Sequence, residues 1–408
     1  MAQRENEAGF PDPAVLRRLL KTLPTPCFLY DEEGLRRSAR ALRSAFWARE
    51  GDREYFPLRL CARPVILQLL REEGCGVSCA TLTELRIAER CGFSGAEVLY
   101  APLLCDRGAE ALALRLRAVW LLDGPQTLPG APPAGALLAW NPRRRLQAGA
   151  RSYSPFDRSK FGMDERTLAA LAVQLRHAGV QTVGAALPLC GGSLDPDFYP
   201  AAAELLFAFC ARLRETAGFS PDVCWLGDGL GISCRPEYPA PALADCGGRI
   251  RALAREAFGD RPPPLLTGIG RRLIAGNAVF LTRVVAVKER ACPLVLTDGC
   301  GSQFLHPLFP GAFHRILAPG WSGKNGVLCD VAGCSAECRD RFADGCILPP
   351  LRPGDPLVIC DAGGWTYGAG GAAERACAEY LVRGDGSAVP VGPRQTPEDD
   401  LERLMFPG

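Results

Sequence analysis

Short apolar segments alternate with longer amphipathic segments through the first two thirds of the chain. The short segments predict eight β-strands, at residues 55–60, 76–80, 98–101, 119–122, 135–140, 181–187, 223–227 and 265–268. Helical periodicity covers residues 65–73, 82–91, 165–177, 200–216 and 240–258 between them. Eight repeats of strand and helix predict a (β/α)8 TIM-like barrel, an α/β fold, rather than an open doubly wound sheet.

The pattern changes after roughly residue 275. Strand-like segments at 278–287, 293–297, 356–359 and 376–382 are separated by Gly and Pro turns, which predicts an antiparallel β domain. The apolar segment Cys27-Phe-Leu-Tyr30 precedes the barrel and is free to add a strand to that domain. We therefore expect an N-terminal helix and strand within 1–34, the barrel within 35–275 and the β domain within 276–408.

Charge and composition exclude several classes of partner. The 47 basic and 45 acidic residues leave a net charge of +2, which gives no electrostatic reason to expect nucleic acid or an anionic membrane. No segment has the apolar length of a membrane helix, and the start MAQRENEAGF does not read as a signal peptide. We therefore expect a cytoplasmic protein whose 19 cysteines are reduced thiols, most of them small apolar core residues.

Lysine is rare in this chain. It occurs only as Lys21, Lys160, Lys288 and Lys324, so nearly all of the basic residues are arginine. Chemistry that needs a lysine amine therefore has four candidates.

Two glycine-containing loops follow the seventh and eighth predicted strands. They contain Gly227, Asp228 and Gly229 in the first loop, and Gly270 and Arg271 in the second. In barrels of this kind these two loops commonly hold phosphate, since glycines let backbone N–H groups approach an anion and arginine adds a forked contact. The two loops together predict an anion site.

The motifs of this chain, in their order, resemble those of the pyridoxal-phosphate-dependent amino-acid decarboxylases of the alanine-racemase-like fold, the diaminopimelate and ornithine decarboxylases. The resemblance rests on residues 24–31, 159–162 (Ser-Lys-Phe-Gly), 226–232, 270–271, 297–299 (Thr-Asp-Gly), 327–330, 349–354 and 361–363. It implies a barrel plus β domain, pyridoxal phosphate as cofactor, and a homodimer with sites at the subunit interface. It also implies that Ser193 lies near the cofactor, that Cys329 is the proton donor and that Asp330 contacts the substrate amine.

Several residues that the family needs are replaced. Arg59 stands where the family has the Schiff-base lysine, and a guanidinium stays protonated and is not a nucleophile at neutral pH. The ring-stacking histidine is missing from residues 186–193, and Gly268 replaces the glutamate that pairs with the pyridine nitrogen. Asp228 replaces a loop glycine and would repel a phosphate unless it points away. Trp365 stands where a tyrosine is expected.

Three hypotheses follow from these observations. In the first, the protein is a degenerate member that binds a small anionic ligand, an amino acid or a protein partner, such as a catalytically intact paralogue, without Schiff-base chemistry. In the second, it is an active pyridoxal-phosphate-dependent decarboxylase, a carboxy-lyase of amino-acid metabolism, with a rebuilt site. In the third, a loop containing Cys329, Cys334, Cys338 and Cys346 binds a metal, because four thiolates can hold zinc or an iron–sulfur cluster.

Overall fold

The structure, a computed structural model, describes residues 10, 12–104, 106–157, 159–189, 191–235, 237–309, 311–364 and 376–405. Trp365 lies outside the described residues. The chain divides into two compact units: residues 37–233 and 238–273 form one, which contains the barrel, and residues 1–36, 234–237 and 274–408 form the other.

The strands and helices of the described residues are as follows. The strands are β1 (Cys27–Asp31), β2 (Arg53–Pro57), β3 (Gly76–Cys79), β4 (Val98–Tyr100), β5 (Val119–Leu122), β6 (Gly135–Ala139), β7 (Leu146–Ala148), β8 (Arg151–Tyr153), β9 (Thr182–Leu187), β10 (Cys224–Leu226), β11 (Leu265–Thr267), β12 (Ala278–Lys288), β13 (Leu294–Thr297), β14 (Ile316–Leu317), β15 (Val327–Ala332), β16 (Arg341–Leu348), β17 (Pro356–Ile359), β18 (Ala378–Val382) and β19 (Ala388–Gly392). The helices are α1 (Pro13–Thr22), α2 (Glu32–Phe46), α3 (Pro64–Glu72), α4 (Leu82–Arg90), α5 (Arg107–Arg115), α6 (Glu165–His177), α7 (Phe198–Ala217), α8 (Leu243–Phe258), α9 (Gly270–Ile274) and α10 (Pro397–Leu404).

Eight parallel strands close the barrel in the order β2-β3-β4-β5-β6-β9-β10-β11, which confirms the predicted fold. Apolar side chains from different strands, among them Tyr55, Leu99 and Leu137, fill its core. The first strand ends earlier than predicted, because the N–H of Leu60 donates to the carbonyl of Pro57 at 3.0 Å and turns the chain. Arg59 therefore lies in an exposed turn rather than on the strand.

The five predicted helices between the barrel strands form as α3, α4, α6, α7 and α8, whereas α5 was not predicted. Helix α6 spans Glu165–His177, as predicted, and buries Leu168, Leu171 and Leu175 along one face. The carboxylate of Asp164 accepts the N–H of Thr167 at 2.9 Å, a typical N-cap that sets where this helix begins.

The second unit contains a mostly antiparallel sheet in the order β16-β15-β13-β12-β1-β18-β19, in which β17 also pairs with β12 and β14 pairs with β17. Strand β1 pairs antiparallel with β12 and parallel with β18, so the predicted addition of an N-terminal strand is confirmed. The sequence pattern did not predict β14, β15, β16 or β19. Glycine, aspartate and exposed positions interrupt β15 and β16, and they weaken the period-two signal on which strand prediction depends.

No helix among the described residues is both long enough and apolar enough to cross a membrane.

Candidate functional site

The candidate site lies at the carboxyl ends of the barrel strands, where the turn after β2 and the loops after β9, β10 and β11 come together. Arg59 belongs to the first of these segments and Ser193 to the second. Residues 227–231 follow β10, and residues 268–271 follow β11. One end of the barrel therefore gathers the predicted cofactor-binding residues.

The side chain of Asp228 accepts a hydrogen bond from one of the backbone N–H groups that were expected to bind an anion. Its Oδ1 accepts the N–H of Gly229 at 2.9 Å, so the carboxylate does not point away from the loop. Burial raises the pKa of Asp228, while the Gly229 hydrogen bond and the positive charges of Arg59 and Arg271 lower it. The half-buried carboxyl group of Asp228 is thus a hydrogen-bond acceptor that the chain itself supplies to this loop.

Other backbone donors of the two loops are also engaged within the chain. The N–H groups of Gly227 and Gly268 donate to the last carbonyls of β9 and β10, each at 3.1 Å. The N–H of Gly231 donates to Ser193 at 2.8 Å, and the N–H of Ser193 donates to Gly229 at 2.9 Å. Ser193 therefore ties the loop after β9 to the loop after β10.

Glu54, on β2, forms hydrogen bonds that fix the loop after β11. The sequence pattern did not predict this role. Glu54 is fully buried; its Oε1 accepts the N–H of Ile269 at 2.6 Å, and its Oε2 accepts the hydroxyl of Thr267 at 2.5 Å. Burial raises the pKa of Glu54 to about 8. The buried carboxyl group of Glu54 thus satisfies the backbone N–H of Ile269, which lies next to Gly268. The only indication of this role in the sequence was an acidic residue directly before the predicted strand at 55–60.

Trp225, on β10, covers the position where the family has its glutamate. A Cβ added to Gly268 would lie 3.1 Å from Cζ2 of the indole, and one added to Gly227 would lie 3.1 Å from Cη2. The indole Nε1 is buried and has no hydrogen-bond partner in the described part of the chain. A longer side chain at position 268 would therefore compete with the indole for space.

Apolar residues of the segment in which the resemblance led us to expect a histidine pack onto the glycine loop. A Cβ on Gly229 would lie 2.8 Å from Cδ1 of Leu189, which is buried, and one on Gly227 would lie 3.3 Å from Cα of Pro188. The backbone at Gly270 packs so closely against Pro57 that only glycine fits there, since an added Cβ would lie 2.4 Å from Cδ of Pro57. Arg271 follows it and is half-buried.

Asp330 and Cys329 lie on β15 in the other unit, and both are engaged there. Oδ1 of Asp330 accepts the N–H of Gly345 at 2.9 Å, and Oδ2 forms ion pairs of 2.8 Å with Arg290 and with Arg341. The Gly345 hydrogen bond is the main cause that lowers the pKa of Asp330, with Arg341 adding to it. Asp330 was expected to contact a substrate amine. Within its own unit, the two arginines already balance the negative charge of its carboxylate.

The four cysteines between residues 329 and 346 do not form one loop or one cluster. Cys329 and Cys346 lie on adjacent strands with their sulfurs 4.0 Å apart. Cys334 donates to the carbonyl of Asp298 at 3.4 Å, and Cys338 donates to Glu337 at 3.4 Å. No three His, Cys, Asp or Glu side chains of the described residues are grouped to hold a metal ion, so the structure does not bring these four cysteines together as the metal-site hypothesis expected.

Comparisons with known proteins agree with this architecture. Protein TabA of Pseudomonas amygdali pv. tabaci is 26% identical over 96% of this chain and 94% of its own length. Diaminopimelate decarboxylase of Deinococcus radiodurans is 30% identical over 85% of this chain and 86% of its own length.

Solved structures share the fold. Diaminopimelate decarboxylase from M. jannaschii superposes with a TM-score of 0.85 at 20% identity, covering 96% of this chain and 94% of the other. The enzyme from Helicobacter pylori, solved in complex with L-lysine, gives 0.83 at 21% identity, covering 96% and 99%. Residues 27–363 match the family described as pyridoxal-dependent decarboxylase, C-terminal sheet domain. A match over so much of the sequence, together with the barrel and the sheet, means that this chain belongs to the pyridoxal-phosphate-dependent decarboxylase family.

Proposed function

We propose that this protein is a non-catalytic member of the family that binds a small anionic ligand at the mouth of its barrel without forming a Schiff base. The observation that carries the proposal is the hydrogen bond from the N–H of Gly229 to the carboxylate of Asp228. It commits one donor of the anion site to a side chain of the protein itself.

The residues present do not fit pyridoxal phosphate as the family holds it. The group supplies an electron sink when it is bound through a lysine, and Arg59 offers no amine for that bond. The indole of Trp225 fills space beside Gly268, where the family's glutamate would stand. The carboxylate of Asp228 adds a negative charge beside the glycine loop, where it opposes a phosphate dianion.

The charges at the mouth favour a ligand that carries one net negative charge. Arg59 and Arg271 both act on Asp228 through their positive charge, and Glu54 nearby is held largely neutral at pH 7 by its raised pKa. With Asp228 ionised, two positive charges and one negative charge leave a net charge of +1. A monoanionic carboxylate or amino acid matches that charge, and the exposed Arg59 is the residue best placed to reach it.

An active carboxy-lyase with a rebuilt site is the second candidate, and the names of the relatives favour it. Diaminopimelate decarboxylase is the name of relatives that cover most of this chain. The absence of lysine between Lys21 and Lys160 argues against this candidate, since no lysine is present in the sequence around the end of β2.

Absorbance and reduction separate the two candidates. We expect the purified full chain, incubated with pyridoxal phosphate, to develop no near-visible band that borohydride removes. A reducible band whose modified peptide contains a lysine would overturn the proposal and support an active enzyme.

Calorimetric titration tests the proposed ligand class directly. With L-glutamate, L-lysine and inorganic phosphate as probes, we expect L-glutamate to bind most tightly and Arg59→Ala to weaken it by roughly tenfold, the loss of one charge-assisted contact. Arg214→Ala, at an exposed position of α7, is the matched control and should change nothing. Binding that is equal in both variants, or absent for all three probes, would contradict the proposal.

Several expectations remain predictions. They are the homodimer, an intact paralogue as partner, the cytoplasmic location and the domain limits 1–34, 35–275 and 276–408. The same holds for two sets of residue roles. One is ligand binding by Gly227, Gly229, Gly270, Arg271 and Ser193, and the other is catalysis by Cys329 and Asp330.

A further inference from the structure

Two cysteines of the β domain lie directly opposite each other on neighbouring strands. Strands β15 and β16 pair antiparallel, and Cys329 is the register partner of Cys346. Their sulfurs are 4.0 Å apart, and the thiol of Cys346 also lies 3.4 Å from the carbonyl oxygen of Cys329. Opposite residues of an antiparallel pair have Cα atoms about 4.5–5.5 Å apart, within the range of about 4.4–6.8 Å that disulfides span.

The backbone around the pair is clamped in this register. Asp330, next to Cys329, accepts the N–H of Gly345, next to Cys346, at 2.9 Å. The ion pair between Asp330 and Arg341 joins the same two strands at 2.8 Å. Only side-chain rotation is therefore required to bring the sulfurs to a bonding distance of about 2.05 Å.

We propose that Cys329 and Cys346 form a reversible disulfide when the protein meets a peroxide, which makes this pair a thiol modification site of the β domain. One thiolate sulfur attacks hydrogen peroxide, the O–O bond breaks, and a sulfenic acid and hydroxide form. The second thiol then displaces the sulfenic hydroxyl, which leaves as water once it has gained a proton. Overall, two thiols lose two electrons and two protons, and one peroxide is reduced to two waters.

The chemistry of the two thiols supports this order of events. The hydrogen bond from the thiol of Cys346 lowers the pKa of Cys329, while the same contact raises that of Cys346. The thiolate is the nucleophile of a thiol oxidation, so Cys329 reacts first and Cys346 resolves. Cys346 is partly exposed, which gives a peroxide access to the buried Cys329 beside it.

A second pair in the same chain provides an internal control. The sulfurs of Cys210 and Cys224 are 3.8 Å apart, slightly closer than those of Cys329 and Cys346. Both lie fully inside the barrel unit, and the pKa of Cys224 is raised well above its ordinary value by the Cys210 contact and by burial. If distance alone governed oxidation, this pair would react at least as fast. If access and thiolate character govern it, Cys329 and Cys346 react faster than this buried pair.

Peptide mapping tests the proposal. The full chain is treated with a small excess of hydrogen peroxide, alkylated, digested with trypsin without reduction and analysed by mass spectrometry. Arg339 and Arg341 lie between the two cysteines, so the disulfide appears as two linked peptides that dithiothreitol separates. We expect this link to form on the order of ten times faster than a Cys210–Cys224 link, because of its exposure and thiolate character.

Variants make the assignment specific. Cys346→Ser and Cys329→Ser should each abolish the linked peptides, whereas Cys334→Ser, in the loop between the same strands, should leave them intact. Circular dichroism of each variant checks that the sheet is retained. The thiols of Cys300 and Cys334 also contact each other in the same unit. Linked peptides that persist in Cys346→Ser, a disulfide between Cys300 and Cys334 in their place, or equal rates for the barrel pair would overturn the proposal.

Discussion

The carboxylate of Asp228 accepts the backbone N–H of Gly229 at 2.9 Å, so the glycine loop that would cradle a phosphate already holds an anion from its own chain. Burial raises the pKa of this carboxyl group overall, while the Gly229 hydrogen bond and the positive charges of Arg59 and Arg271 act in the opposite direction. Asp228 thus affects both the charge of this loop and the number of its free backbone donors. Three predictions about the site follow.

Removing this carboxylate should open the loop to phosphate. Asp228→Gly frees the N–H of Gly229 and removes a negative charge, and at an effective dielectric constant of about 20 two charges about 4 Å apart repel by about 4 kcal/mol. We therefore expect the affinity for inorganic phosphate, measured by calorimetry, to rise by up to about 1,000-fold. Asp228→Asn keeps an acceptor for Gly229 and should give a smaller gain.

A second half-buried aspartate provides the control for this experiment. Asp123 follows β5 and accepts the N–H of Gly162 at 2.5 Å. Asp123→Asn should leave phosphate binding unchanged. An equal gain in both variants would mean that net charge, and not the loop, governs the binding.

Glu54 should make stability fall as pH rises. Its pKa is raised from 4.5 to about 8 in the folded protein, so the folded state holds a proton that the unfolded state releases in this range. The contribution of Glu54 to the free energy of unfolding is therefore fully present below about pH 4.5. It decreases as the pH rises from about 4.5 to about 8, by at most about 1.4 kcal/mol per pH unit. Urea unfolding of the wild type and of Glu54→Gln measures the difference between the two proteins.

The glutamine variant is nearly isosteric with the protonated acid. It can accept the N–H of Ile269 and donate to the hydroxyl of Thr267. The free energy of unfolding of Glu54→Gln relative to the wild type should therefore increase between pH 6 and pH 8. A difference that stays constant across this range would show that Glu54 does not titrate there.

The indole of Trp225 should leave too little space for a glutamate introduced at position 268. Because an added Cβ would lie 3.1 Å from the indole, we expect Gly268→Glu to destabilise the protein by roughly 1–3 kcal/mol, the usual cost of overpacking. Trp225→Ala should relieve part of that cost in the double variant. Unfolding of the two single variants and the double variant gives the coupling between the positions, and additive effects would contradict the clash.

The sequence determined the large-scale organisation because that organisation depends on local periodicity. Apolar segments at regular intervals predicted all eight barrel strands, and the segment at Cys27–Tyr30 predicted the strand that joins the β domain. The sequence also showed that no lysine lies between Lys21 and Lys160, so none is available near Arg59. Strands β15 and β16 were missed because their pattern is interrupted by exposed and polar residues.

Tertiary structure alone decided how the replaced residues are used. The sequence left open whether Asp228 points away from the glycine loop, and nothing local indicated that Trp225 covers Gly268 or that Glu54 binds Ile269. The facing sulfurs of Cys329 and Cys346 likewise depend on the register of two strands. Most of these contacts join residues far apart in the chain, and closure of the barrel and pairing of the sheet bring them together. Periodicity along the sequence reports which face of an element is buried, but not which distant side chain it meets there.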